Sequence, residues 1–270
     1  MSIPEAEDFR AEARVLKAAL VDLSEAELAA PTLFKAWMVA DVIGHLHMFD
    51  VAARLSLTDA DAFRVFSAPI VAGMAAGRGL IEIQNDWLAE RGLSGRALLG
   101  AWAAETERLA DAFAGADPKA RLKWFGPDMS ARSSITARQM ETWAHGQEVF
   151  DLLGLDRAEA DRVRNICHLG VSTYGWTFIN RGEPVPEPVP FVRLIGPSGA
   201  VWEWGEPRDD ERVTGSAVGF AQVVAQTRNV ADVDLSTTGP NAGRWMAIAQ
   251  CFAGPPNDPP PPGYRKKAAR

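Results

Sequence analysis

The stretch Arg138-Gln139-Met140-Glu141-Thr142-Trp143-Ala144-His145-Gly146 sets a carboxylate and an imidazole four residues apart in a strongly helical segment. One turn of helix carries side chains at that spacing onto a single face. Met140, Ala144, Val149 and Leu152 are interspersed along the same segment, so Glu141 is costly to bury unless a cation or a hydrogen-bonding partner neutralises it. Well upstream, Trp37-Met-Val-Ala-Asp41-Val-Ile-Gly-His45-Leu46 brings a second imidazole onto another amphipathic run, with Val42, Leu46 and Phe49 around it. Two neighbouring helices would then offer His45, Glu141 and His145 to one divalent ion and leave a coordination position vacant. The competing reading is a surface ion pair at Glu141 and a hydrogen-bonded core histidine at His45, which contribute little beyond packing. His47 faces away from His45 and, like His168, reads as a packing or surface residue. For Asp41, one turn before His45, two roles stand open: an acceptor that orients the imidazole, or a cap on the helix start.

Outward from this pair, apolar residues recur every three to four positions over about 5–23, 37–56, 59–76, 79–90, 94–115, 133–154 and 159–181. The pattern predicts an all-helical first half with short connections, as in an antiparallel bundle. The run Arg181-Gly-Glu-Pro184-Val-Pro186-Glu-Pro188-Val-Pro190 cannot continue a helix, and a linker is placed there. Beyond it, Phe191 to Ile195, a turn at Gly196 to Gly199 and Ala200 to Trp204 predict a β-hairpin. Helices are expected over about 214–227 and 240–253, with one more strand at Val233 to Thr237. The expected organisation is a helical bundle at 1–182, a small α+β domain at 190–254 and a Pro-rich tail at 255–270, extended and loosely held.

Composition excludes several classes. The 270 residues are 47% hydrophobic, enough for a sizeable core, and the net charge is −7. Lys and Arg cluster only at Arg265 to Arg270, too short a run to track phosphates, so nucleic acid is not an expected partner. No window approaches the length of a membrane span, and the N-terminus lacks the basic start and apolar run of a secretion signal; a cytoplasmic protein is expected. Cys167 and Cys251 suit reduced, buried thiols better than a disulfide framework. Of the nine tryptophans, Trp124, just before Gly126-Pro127, is the candidate for a pocket rim, and most of the others read as core.

Trp37-x3-Asp41-x3-His45-Leu46 followed by Glu141-x3-His145-Gly146 resembles the mycothiol-dependent maleylpyruvate isomerase N-terminal domain of the DinB-like four-helix metal-binding superfamily. Trp124-Phe-Gly-Pro-Asp-Met-Ser130 running into Thr136 to Gly146 is similar to an actinobacterial subfamily described as metal-binding proteins. The C-terminal part resembles a wyosine-base-formation type of domain. The resemblance implies a four-helix bundle followed by a small α+β domain, with His45, Glu141 and His145 as ligands of zinc or another divalent metal. It also implies a small-molecule substrate, mycothiol as a co-substrate, and an arginine of the second domain over the metal, whose best match is Arg228. Arg228 reads equally as a helix-terminal cation complementing the dipole. The chain departs from the isomerases in its Pro-rich run and around Arg228, so maleylpyruvate itself is not the expected substrate. A metal-activated thiol acting in isomerisation or S-transfer is the leading expectation. The alternatives are metal-hydroxide hydrolysis, Lewis-acid chemistry on a small carbonyl compound, and a non-catalytic metal-stabilised binding protein.

Overall fold

Four long helices close a ring in the first part of the chain. The computed structural model describes residues 2–269, which fall into two units that part between Leu152 and Leu153. The first unit contains α1 (Glu5–Leu20), a short α2 (Glu25–Leu28), α3 (Val39–Thr58), α4 (Ala60–Ala75), α5 (Leu80–Ala89) and α6 (Gly95–Ala114). A minimal hairpin of β1 (Arg121–Leu122) and β2 (Met129–Ser130) follows, and then α7 (Ala131–Leu152). α1 packs on α6 and α7, and α3 packs on the same two helices, which makes a four-helix bundle. Its interior holds Phe9, Leu16, Ile43, Leu46, Trp102 and Trp143, all excluded from solvent.

Local chemistry starts the helices that matter. Asp41 Oδ2 accepts the Met38 backbone N–H at 2.9 Å, which caps α3. Of the two roles open to Asp41, the cap is therefore the one seen. Ser130 Oγ accepts from the Ser133 N–H at 3.1 Å at the head of α7. α5 closes on α3 because residue 44 is glycine: a Cβ there would lie 2.6 Å from Gln84 Nε2 and 2.8 Å from Leu88 Cδ1. Gln84 Nε2 in turn donates to the Asp41 carbonyl at 3.0 Å.

The second unit contains α8 (Arg164–Ser172), α9 (Tyr174–Ile179), β3 (Phe191–Ile195), β4 (Val201–Trp204), β5 (Arg212–Ser216), α10 (Ala217–Val224), β6 (Leu235–Thr238) and α11 (Pro240–Ile248). The sheet order is β4-β3-β5-β6, with β3 and β5 parallel and the outer pairs antiparallel. Val192, Leu194 and Val213 are buried in the sheet, and α10, carrying the buried Phe220, packs against it.

Three expectations are corrected. The boundary lies after Leu152 rather than at 182, because α8 packs on α10 and α9 packs on α11. The proline run is accordingly internal to the second unit, where Tyr174 Oη donates to the Pro186 carbonyl and Asn241 Nδ2 to that of Pro188. The expected helix at 214–227 begins as a strand, since Arg212 to Ser216 pairs with β3 on one side and β6 on the other. The tail is pinned rather than loose: Asn257 hydrogen-bonds with Gln226 and Gln250, Asn229 donates to the Pro260 carbonyl, and Gly263 donates to Asp232.

Candidate metal centre

α3 and α7 are neighbours in the bundle, and their contact brings His45 to Glu141 and His145. Glu141 Oε2 lies 3.1 Å from His145 Nε2 and 3.3 Å from His45 Nε2. One ligand atom from each of the three residues lies within 4.8 Å of the other two. Two donors bonded to the same tetrahedral zinc at its usual bond lengths stand about 3.3 Å apart. The spacing therefore fits a common ion, and one carboxylate oxygen facing two imidazole nitrogens is a donor set that zinc accepts.

Electrostatics prepare the donors. Burial of His45 pushes its imidazole down to about 4, against the opposing hydrogen bond that it makes to the Glu141 carboxylate, so the ring is neutral at pH 7. Burial alone would raise the Glu141 carboxyl, but hydrogen bonds and charge from His145 and His45 outweigh it and hold the group well below the ordinary carboxylate range. The Glu141 side chain keeps a quarter of its surface exposed, which leaves an approach from solvent.

Aromatic rings wall the two imidazoles. Trp37 lies nearly parallel to His145, at 5.4 Å and 11°, and Phe34 meets the same ring edge-on at 5.2 Å. Phe49 sits 4.7 Å from the His45 ring and continues into Trp124 and Phe125. Trp124 itself stacks on Phe63 at 6.1 Å and is half-buried. One turn further along α3 and α7, Arg138 Nε donates to Asp50 Oδ1 at 2.9 Å, and Arg138 Nη2 reaches the Leu46 carbonyl at 3.4 Å. This cross-link between α3 and α7 was not anticipated, because a charged residue inside an amphipathic run reads as a solvated position.

The remaining histidines stand apart. His47 is buried against Trp87, with ring centroids 5.4 Å apart, and His168 Nδ1 accepts from Trp204 Nε1 at 3.3 Å. Arg228 belongs to the second unit, beyond the end of α10, where its guanidinium donates to the Thr227 carbonyl at 2.9 Å. Cys167 and Cys251 are both buried, and neither forms a disulfide among the described residues. Among the described residues, no helix is long and apolar enough to cross a membrane.

A capped four-helix bundle with a two-histidine, one-carboxylate cluster facing across two of its helices defines the class. The family model for the mycothiol maleylpyruvate isomerase N-terminal domain matches residues 9–150, and the chain belongs to that family. Over 250 residues the chain is 41% identical to uncharacterized proteins from two Mycobacterium tuberculosis strains, CDC 1551 / Oshkosh and ATCC 25618 / H37Rv, covering 92% of this chain and 95% of each relative. Two crystal structures of mycothiol-dependent maleylpyruvate isomerase, one of them a histidine-to-alanine mutant, superpose with TM-scores of 0.53 and 0.55 at 16% identity. Each alignment covers 87% of this chain and 91% of the other. At that identity the likeness is one of fold.

Proposed function

We propose that this chain is a cytoplasmic, metal-dependent enzyme that uses a low-molecular-weight thiol, mycothiol, for isomerisation or S-transfer on a small electrophilic substrate. His45, Glu141 and His145 would hold the ion, with zinc the first choice for two imidazoles and a carboxylate. A divalent cation bound there supplies positive charge that lowers the pKa of a thiol or water brought to it.

The observation that carries this reading is the convergence of two imidazole nitrogens on one Glu141 oxygen at 3.1 and 3.3 Å, in a chain of the mycothiol isomerase family. Among the described residues the donor group stops at three. Catalytic zinc sites use three protein donors and keep one position open, whereas structural sites close with four.

The chain's own residues have distinct tasks. His45 contributes a neutral donor, and Glu141 contributes the negative charge that balances part of the ion's. Phe34, Trp37 and Phe49 exclude water from the imidazole faces, which strengthens every charge interaction made there. Arg228 is assigned to the carboxylate of a substrate, a bidentate partner suited to its guanidinium.

Metal content of protein purified without chelator or polyhistidine tag tests the ligand set. One equivalent is expected in the wild type and none in His45→Ala or His145→Ala. Stoichiometric metal in both variants would overturn the assignment. The metal-loaded protein is then expected to consume mycothiol in the presence of some member of a broad electrophile panel. No metal-dependent consumption with any of them would sink the thiol chemistry and leave the hydrolytic or scaffolding readings.

A further inference from the structure

Trp37 and Phe34 reach His145 from an improbable turn. Lys35 and Ala36 both have left-handed backbone, with φ of 53° and 56°. The Trp37 N–H closes onto the Phe34 carbonyl at 2.9 Å. This is a turn of the type I′ kind, which ordinarily calls on glycine, asparagine or aspartate at its two central positions. Here neither position has such a residue, and both central side chains are exposed.

The flanking chain holds the turn in place. Thr32 N–H donates to the Trp37 carbonyl at 2.8 Å and Val39 N–H to the Ala30 carbonyl at 3.1 Å. Thr32 Oγ1 accepts the Phe34 N–H at 3.2 Å. The surroundings thus enforce a conformation that the residues themselves disfavour, a pattern found where geometry serves a site.

What the turn delivers is a pair of rings. Phe34 and Trp37 stand edge-on to each other at 4.9 Å, and both rest on the His145 imidazole, one flat and one by its edge. Trp37 also touches His45, at 5.3 Å. Glu141 fixes only the Nε2 corner of His145. Rotation of the imidazole about the bond that carries it would turn Nε2 away from Glu141, and rings against its face and edge oppose that rotation.

We infer that the Phe34-Lys35-Ala36-Trp37 turn is a positioning device for the metal ligands, with the Trp37 indole holding the His145 imidazole in its ligating orientation. This rests on the ligand assignment above. Groups that orient metal-bound imidazoles commonly change metal affinity by ten- to a hundred-fold when removed, and an aromatic face does here what a hydrogen-bonding partner does elsewhere.

The test uses the full chain and Co2+ as the probe, reading both affinity by competition with a chelating dye and the visible absorption of the bound ion. Trp37→Leu keeps apolar volume and loses the ring face; it is expected to weaken Co2+ binding about tenfold or more and to change the absorption band. Trp37→Phe keeps a ring and is expected to stay within about threefold of wild type, with the band preserved. Wild-type affinity and spectrum in Trp37→Leu would overturn the inference, and so would a Trp37→Phe defect as large as that of Trp37→Leu, which would mean that the residue only fills space. If circular dichroism shows that Trp37→Leu is unfolded, Phe34→Leu is read by the same criteria. Failure of the wild type to bind Co2+ at all would be a different result, since it removes the ligand assignment itself.

Discussion

Asp50 and Arg138 form an ion pair in the bundle interior, with side-chain exposures of 0% and 3% and an N···O distance of 2.9 Å. Asp50 follows His45 on α3, and Arg138 precedes Glu141 on α7, so the pair ties together the two helices that carry His45, Glu141 and His145. Burial pushes the Asp50 carboxyl up to about 6 even beside its guanidinium partner, a sign that desolvation consumes much of what the pairing returns. Asp50→Ala strands a guanidinium in the interior and is expected to lower the unfolding free energy by about 3–5 kcal/mol. The double variant Asp50→Leu, Arg138→Met removes both charges and is expected to recover most of that loss in urea denaturation. Equal destabilisation in the single and double variants would show that the site tolerates no apolar repacking.

The strained turn predicts a stabilising substitution. Ala36 is exposed and has a φ of 56°. Glycine adopts that region without the Cβ clash that alanine suffers there. Ala36→Gly is expected to raise the unfolding free energy by about 0.5–1 kcal/mol, allowing for glycine's greater freedom in the unfolded chain. A rise in Tm of a few degrees would confirm it; a fall would mean that the turn relaxes in solution to negative φ.

His47 predicts acid sensitivity in the metal-free protein. Burial pushes its imidazole down to about 4, with Glu105 opposing. An unfolded histidine titrates near 6.5. Because the folded value is depressed, its contribution to stability is intact above about 6.5 and is lost as the pH falls toward 4, where the unfolded chain takes up a proton that the native state resists. The full loss is on the order of 3 kcal/mol. Chelator-treated wild type and His47→Gln should therefore diverge in the pH dependence of stability across that window, with the shallower slope in the variant. Parallel slopes would show that His47 is protonated in the fold.

The bundle and the helical placement of His45, Glu141 and His145 are legible because both rest on local periodicity. The 3.6-residue repeat placed α3 and α7, and an i,i+4 Glu–His pair followed from the helix alone. Features that depend on partners distant in sequence left no such mark. β5 is strand because β3 and β6 flank it, and its Gly215, at φ 135° with the Asp234 carbonyl where a Cβ would stand, falls from the sequence inside the helix expected over about 214–227. The Lys35-Ala36 turn has no glycine or asparagine to announce it. Asp50 and Arg138 look like solvated positions until the two helices are docked. The second-unit assignment of α8 and α9 likewise depends on packing against α10 and α11, which proline content does not report.

The C-terminal tail provides the last test, because composition and contacts make opposite predictions for it. Prolines from Pro255 to Pro262 suggest an extended segment that could be removed at no cost. In the fold, Gln226, itself buried with a φ of 56°, exchanges two hydrogen bonds with Asn257: its Nε2 donates to the Asn257 carbonyl at 2.8 Å, and its Oε1 accepts from Asn257 Nδ2 at 2.6 Å. Arg265 Nη1 then donates to the Gln226 carbonyl at 2.8 Å, and Arg181 reaches the Asn257 carbonyl at 2.6 Å. The loop so held is the one that continues to Arg228. Asn257→Ala leaves the Gln226 amide oxygen without this donor and is expected to cost about 1–3 kcal/mol, far more than a surface substitution. Truncation after Gly254 removes the whole set and should lower Tm further, while the metal binding proposed for His45, Glu141 and His145 of the first unit should be retained. A truncated chain as stable as the full one would return the tail to the status that its prolines suggest.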